Sequence, residues 1–252
     1  MKHLAWICLI AMANSVSGQK QTAHIQQSWM GFVNQTRISE RWGLWLDLHL
    51  RTQEDFVNDL STAIVRPGIT YFASDRLRFT AGYAYVNFFP ADDHPGVSVP
   101  EHRPWQQVLW QTPGKRSRLI NAIRLEQRYR RKLENGDELA DGYNFNYRVR
   151  YNTMLLLPLG KNVFKPNSLS ASLNNELHVN FGKQIVYNYF DQNRLFLGFA
   201  YHVNERNFLQ FGYMNLFQQL ASGSRYRMFH VARVYYYQNL DLRNKKETKN
   251  KS

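Results

Sequence analysis

Apolar and polar residues alternate with a period of two along most of this chain. Leu44, Leu46, Leu48 and Leu50 take turns with Trp45, Asp47, His49 and Arg51. Leu77, Phe79, Ala81, Tyr83 and Tyr85 oppose Arg78, Thr80, Gly82 and Ala84, and Leu119, Ile123, Leu125 and Tyr129 oppose Arg118, Arg124, Glu126, Arg128 and Arg130. In "NFNYRVRYNTMLLLP" (144–158), Tyr147, Val149 and Tyr151 alternate with Asn146, Arg148, Arg150 and Asn152. The same holds for Leu169–Val179 against Ser170, Ser172, Asn174, Glu176 and His178, then for 194–202 and 209–217. Successive side chains of a strand point to opposite faces, so this pattern predicts strands with one apolar and one polar face. Weaker strand patterns at 27–38, 59–73, 102–112 and 227–239 bring the count to eleven segments. Most are about ten residues or a little longer, the length at which a tilted strand crosses a bilayer. No long window carries a competing helical period.

The connections alternate as well. Short ones are expected at 39–42, 73–76, 113–117 and 203–207, and longer ones at 52–58, 88–100, 132–142, 181–192 and 218–226, with 157–168 a long exception on the short side. Short turns on one side and long loops on the other are the habit of outer-membrane barrels. Bacterial single-chain barrels carry an even number of strands. An extra short strand is therefore expected within 19–25 or near "KQIVYNYF" (183–190), giving about twelve strands, with ten as the fallback.

The start of the chain reads as a secretory signal over residues 1–18. Lys2 and His3 precede an apolar run from Leu4 to Ala13, too short to span a membrane, and Val16-Ser17-Gly18 is a small-residue cleavage context. The barrel is then expected over 19–242, followed by a basic tail, "RNKKETKNKS", over 243–252. The single cysteine, Cys8, falls inside the signal, which excludes disulfides and thiolate chemistry from the mature chain. The net charge of +13 would suit nucleic acid or anionic lipid. Export argues against nucleic acid. No apolar run approaches 18 residues, which excludes transmembrane helices but not transmembrane strands.

Alternation alone does not say which face is inside. A soluble periplasmic ligand-binding barrel would turn its apolar face inward. Two features favour the membrane: the long charged side chains of the polar face, and the aromatics near strand ends (Tyr143, Tyr187, Tyr189 and Tyr235–Tyr237), where interfacial girdles lie.

Four stretches in this order, "PEHRPWQQ" (100–107), "RLEQRYRR" (124–131), "NYRVRY" (146–151) and "LNNELHVN" (173–180), make the chain resemble the family called domain of unknown function 2490. The resemblance implies a barrel-like outer-membrane protein of a kind common in Bacteroidota. It implies no activity, substrate or catalytic residue.

The fold expected is thus all-β, an antiparallel up-and-down transmembrane barrel in the cell outer membrane. Its partners would be outer-membrane lipid and the barrel-assembly machinery. Pairing neighbouring strands through their connections sets Arg148 level with Glu126, Arg150 level with Arg124, and Glu176 and His178 close by. Glu101 and Arg103 then fall beside Arg128 and Arg130. A charged lumen layer of Glu101, Arg103, Arg124, Glu126, Arg128, Arg130, Arg148, Arg150, Glu176 and His178 results. It reads either as a structural ladder filling a narrow bore or, because arginines outnumber carboxylates, as a site for a small anion. A lipid-modifying enzyme is the alternative, but no nucleophile motif accompanies the serines of 170–172, and catalysis is not expected. The eight histidines show no paired spacing on one face, and His94 and His102 read as solvated loop residues. No metal and no cofactor are expected.

Overall fold

The computed structural model describes residues 21–91 and 94–243. The signal at 1–18 and most of the basic tail lie outside the described residues. The chain forms eleven strands: β1 (Gln21–Arg37), β2 (Trp42–Glu54), β3 (Asn58–Phe72), β4 (Leu77–Phe88), β5 (Val99–Gly114), β6 (Ser117–Leu133), β7 (Leu139–Leu159), β8 (Ser168–Phe181), β9 (Phe190–His202), β10 (Phe208–Gln219) and β11 (Arg225–Asp241). Each strand pairs antiparallel with the next, and β1 pairs with β11 to close the barrel. Closure leaves no free sheet edge.

The eleven segments of alternation are the eleven strands, and the even number that parity required is corrected. Gln21–Ile25 is the opening of β1, and residues 183–189 remain in the β8–β9 connection. With an odd count, the first and last strands run in the same direction. The seam is therefore parallel, in register from Gln21↔Arg225 to Arg37↔Asp241. Gln21 and Asp241 consequently sit at opposite ends of the barrel.

The contrast between the two ends is weaker than the sequence suggested. On one side the connections are 55–57, 89–98, 134–138, 182–189 and 220–224; on the other they are 38–41, 73–76, 115–116, 160–167 and 203–207. The expected long loop at 52–58 is a tight hairpin. A register shift at Arg51/Thr52 extends the β2–β3 ladder to Glu54↔Asn58.

Large apolar side chains line the outer wall. Leu44, Val65, Ile69, Phe79, Leu197 and Phe199 are each more than two-fifths exposed there. The inner wall has two sectors. Over β9, β10, β11 and β1 it is mainly apolar, with Trp29, Phe196, Met214, Leu216, Phe229, Val231 and Tyr235 in one cluster, interrupted by buried Gln210 and Arg233. Over β2–β9 it is charged. Two glycine pairs make room for the largest inner rings. Gly68 faces Gly82, and Gly198 faces Gly212. A Cβ on Gly82 would lie 2.9 Å from the Trp105 ring, and one on Gly198 would lie 2.6 Å from the Phe196 ring. Bare backbone lets both rings lie flat on the sheet.

The aromatic girdle divides. Tyr143, Tyr187 and Tyr189 are exposed at the end that carries the 89–98 and 182–189 connections. Tyr235 and Tyr237 instead face the lumen, and of the final three tyrosines only Tyr236 points outward, stacked on Phe32. At the other end, Arg37 donates to Asp75 at 2.5 Å and holds that carboxyl below its usual range. Arg243 donates from Nη2 to Asp241 at 2.8 Å and so ties down the end of β11.

Candidate functional site

All ten residues of the expected charged layer lie on the inner wall. The register pairs Glu126 with Arg148 and Arg124 with Arg150 on β6–β7, Arg150 with His178 on β7–β8, and Glu101 with Arg130 on β5–β6. Glu101, Arg103, Arg124, Glu126, Arg148, Glu176 and His178 are buried, while Arg128, Arg130 and Arg150 are half-buried.

The side chains form two clusters. In the first, Glu126 accepts from Arg148 Nε at 2.9 Å and Nη2 at 2.6 Å, and from Arg150 Nη1 at 2.8 Å. Arg150 turns its other edge to Glu176, donating from Nε at 3.1 Å and Nη2 at 2.5 Å. Glu176 also meets Arg194 at 3.1 Å and His178 Nε2 at 2.9 Å. Arg148 completes its fork on Asp191 at 3.0 Å. In the second cluster, Glu101 accepts a bidentate pair from Arg128 at 2.7 and 3.0 Å, and also pairs with Arg103. This is the geometry in which a planar guanidinium serves two carboxylates at once, and it satisfies buried charges that would otherwise be costly.

Arg124 and Arg130 also pack against aromatic rings. Arg124 donates to Gln107 Oε1 at 3.0 Å and lies 4.4 Å from the centre of the Trp105 ring. Arg130 lies 4.4 Å from the Phe88 ring centre.

The layer also extends beyond the residues singled out from the sequence. On β2 and β3, Asp47 accepts from Arg66 at 2.8 Å and pairs with His49. Arg51 lies 3.6 Å above Trp29. Alternation had already placed Asp47, His49 and Arg51 on one face. What was lacking was the seam that curls β2 round to face β8. Asp191 had no such signal. A register shift at His178/Val179 turns both Asp191 and Gln192 inward, which strict alternation forbids.

The lumen holds two cavities, one of about 260 Å³ at the end that carries the 89–98 connection and one of about 160 Å³ towards the opposite end. They share a wall of Trp29, Arg51, Arg66, Arg150 and Arg194. Buried His94 lines the first cavity, with Nδ1 2.9 Å from the Val97 carbonyl, so it is not the solvated loop residue expected. His102 sits outside, against Tyr83, Tyr85 and Tyr143. Deep in the wall, Ser170 Oγ lies 2.9 Å from His202 Nε2, and among the described residues no carboxylate pairs with that histidine. No group of three potential metal ligands occurs among the described residues.

A closed all-β barrel with an apolar exterior and an arginine–carboxylate lumen is the class these features define. The sequence matches the family described as "Protein of unknown function (DUF2490)" over residues 26–227, and the chain belongs to that family. No curated protein matches it. Among solved structures it is similar to one described as "NanC porin structure in rhombohedral crystal form", with a TM-score of 0.45 and 10% identity, over 79% of this chain and 91% of that one.

Proposed function

We propose that this protein is an outer-membrane β-barrel that spans the bilayer with its apolar outer wall, carries no catalytic activity, and has a bore closed near mid-height by the arginine–carboxylate layer. The observation that carries this reading is the inversion of the two walls: exposed Leu, Ile, Val and Phe outside, paired charges inside. A soluble barrel needs the opposite arrangement. Outer-membrane lipid is then the main partner, and delivery is by signal peptide and the barrel-assembly machinery.

Closure is supported by the residues common to both cavities. Arg150 and Arg194 reach Glu176 from two strands and stand between the upper and lower spaces. Trp29 faces them from the apolar sector, with the Arg194 guanidinium 5.0 Å from its ring centre. The protein is therefore a membrane scaffold with a sealed polar interior in its resting state. Purified protein reconstituted into planar bilayers should insert without producing stepwise ohmic currents. Stable open steps of the size seen for general porins would refute the closed bore.

A further inference from the structure

Three arginines of the lower cavity take no carboxylate among the described residues: Arg51, Arg124 and Arg233. Arg51 rests on Trp29, and Arg124 holds only the Gln107 amide oxygen and the Trp105 face. Arg233 donates to Gln210 Oε1 at 2.9 Å and lies over the Phe196 and Tyr235 rings at 4.6 and 4.1 Å. All three line the lower cavity. Each also keeps a buried N–H with no hydrogen-bond partner: Nε of Arg51, Nη1 of Arg124 and Nε of Arg233. Arg66, on the same cavity, leaves Nε unpartnered after meeting Asp47.

Buried donors are nearly always satisfied, and a buried charge needs a counter-charge. Aromatic stacking supplies neither. It occupies the face of a guanidinium and leaves the N–H groups, which lie in its plane, for an acceptor. Asp47 and Glu176 are the only carboxylates on this cavity among the described residues, and both are committed to Arg66, Arg150 and Arg194.

We propose that the lower cavity binds one doubly charged oxyanion of the phosphate class, held by Arg51, Arg124 and Arg233. A tetrahedral group of four oxygens accepts from several planar forks together, which a single-point acceptor such as chloride does not. The space of about 160 Å³ suits an ion of this size with a few waters, each of which takes about 30 Å³ in the liquid. Met154, Ile120 and Tyr237, from the apolar cluster that also holds Leu156 and Phe208, line one side of the cavity. The site rests on the lumen geometry of the closed bore, yet its test reads binding and not current, so the two readings fail separately.

The test is thermal unfolding of the full mature chain, folded in detergent and followed by the gel mobility of unboiled samples. Inorganic phosphate is titrated against sodium chloride at matched ionic strength. Phosphate should raise the melting temperature saturably and chloride should not. Arg51→Gln and Arg124→Gln should each raise the half-saturating phosphate concentration about tenfold or more, while Lys115→Gln, in an exposed turn, should leave it unchanged. Without phosphate, Arg124→Gln should melt no lower than the parent, because an uncompensated buried charge has been removed. Equal responses to phosphate and chloride in the unmodified protein would overturn the site whether or not any variant folds. Unchanged phosphate binding by both arginine variants would overturn it too.

Discussion

Glu126 is where the lumen layer is most concentrated, with three donors from two arginines on one carboxylate that is 1% exposed. Glu126→Gln leaves Arg148 and Arg150 short of charge in a confined space. Breaking a buried pair from one side typically costs about 3–5 kcal/mol. The double variant Glu126→Gln/Arg148→Gln should lose less than the two single losses summed, because a coupled pair is removed together and Arg150 keeps Glu176. Denaturant unfolding in detergent measures the cycle; strict additivity would mean the pair is not coupled. Asp191 apart, this cluster was legible from the sequence because its members sit on the polar side of a strong alternation. Trp29, Phe196 and Phe229 were not legible as lumen residues. A large ring inside a barrel looks, in sequence, like a lipid-facing ring. The bare glycine pairs beneath Trp105 and Phe196 reveal themselves only once strands are paired.

At the scale of strands, hairpins made the registers readable. A short connection fixes which residues face one another, and a slip by one residue would turn every Leu of a strand inward. The β6–β7 ladder, closed by 134–138, follows that logic. The seam between β1 and β11 has no hairpin to fix it, and the bulges at Arg51/Thr52 and His178/Val179 break alternation locally, so these features were not readable. The parallel seam has a direct test. Ser28 faces Ala232 across it, and both side chains lie on the outer wall. The only natural cysteine, Cys8, precedes β1. Ser28→Cys with Ala232→Cys should therefore cross-link within the chain on mild oxidation, since facing strand residues lie within the Cα separation a disulfide tolerates. A reduction-sensitive shift in gel mobility reports it. If Ser28→Cys instead cross-links only with cysteines placed well away from position 232, the seam is contradicted.

For the whole molecule the proposed function turns on direction, with the apolar wall against lipid and the charged wall around the bore. Period-two alternation reveals that two faces exist, and the long charged side chains of one face argue for which is inside, but the pattern itself is symmetric between a soluble barrel and a membrane barrel. The tryptophans break that symmetry experimentally. Trp42 and Trp110 belong to the outward-facing sides of β2 and β5, whereas Trp29, Trp45 and Trp105 line the lumen and its cavities or pack under its arginines. The most direct measurement is tryptophan fluorescence of the mature protein folded into liposomes of brominated phospholipid, which quench only rings in contact with acyl chains. The parent should be quenched, and Trp42→Phe/Trp110→Phe should lose most of that quenching while its three inner tryptophans continue to fluoresce. Undiminished quenching in the double variant would put the inner tryptophans against lipid and contradict the account.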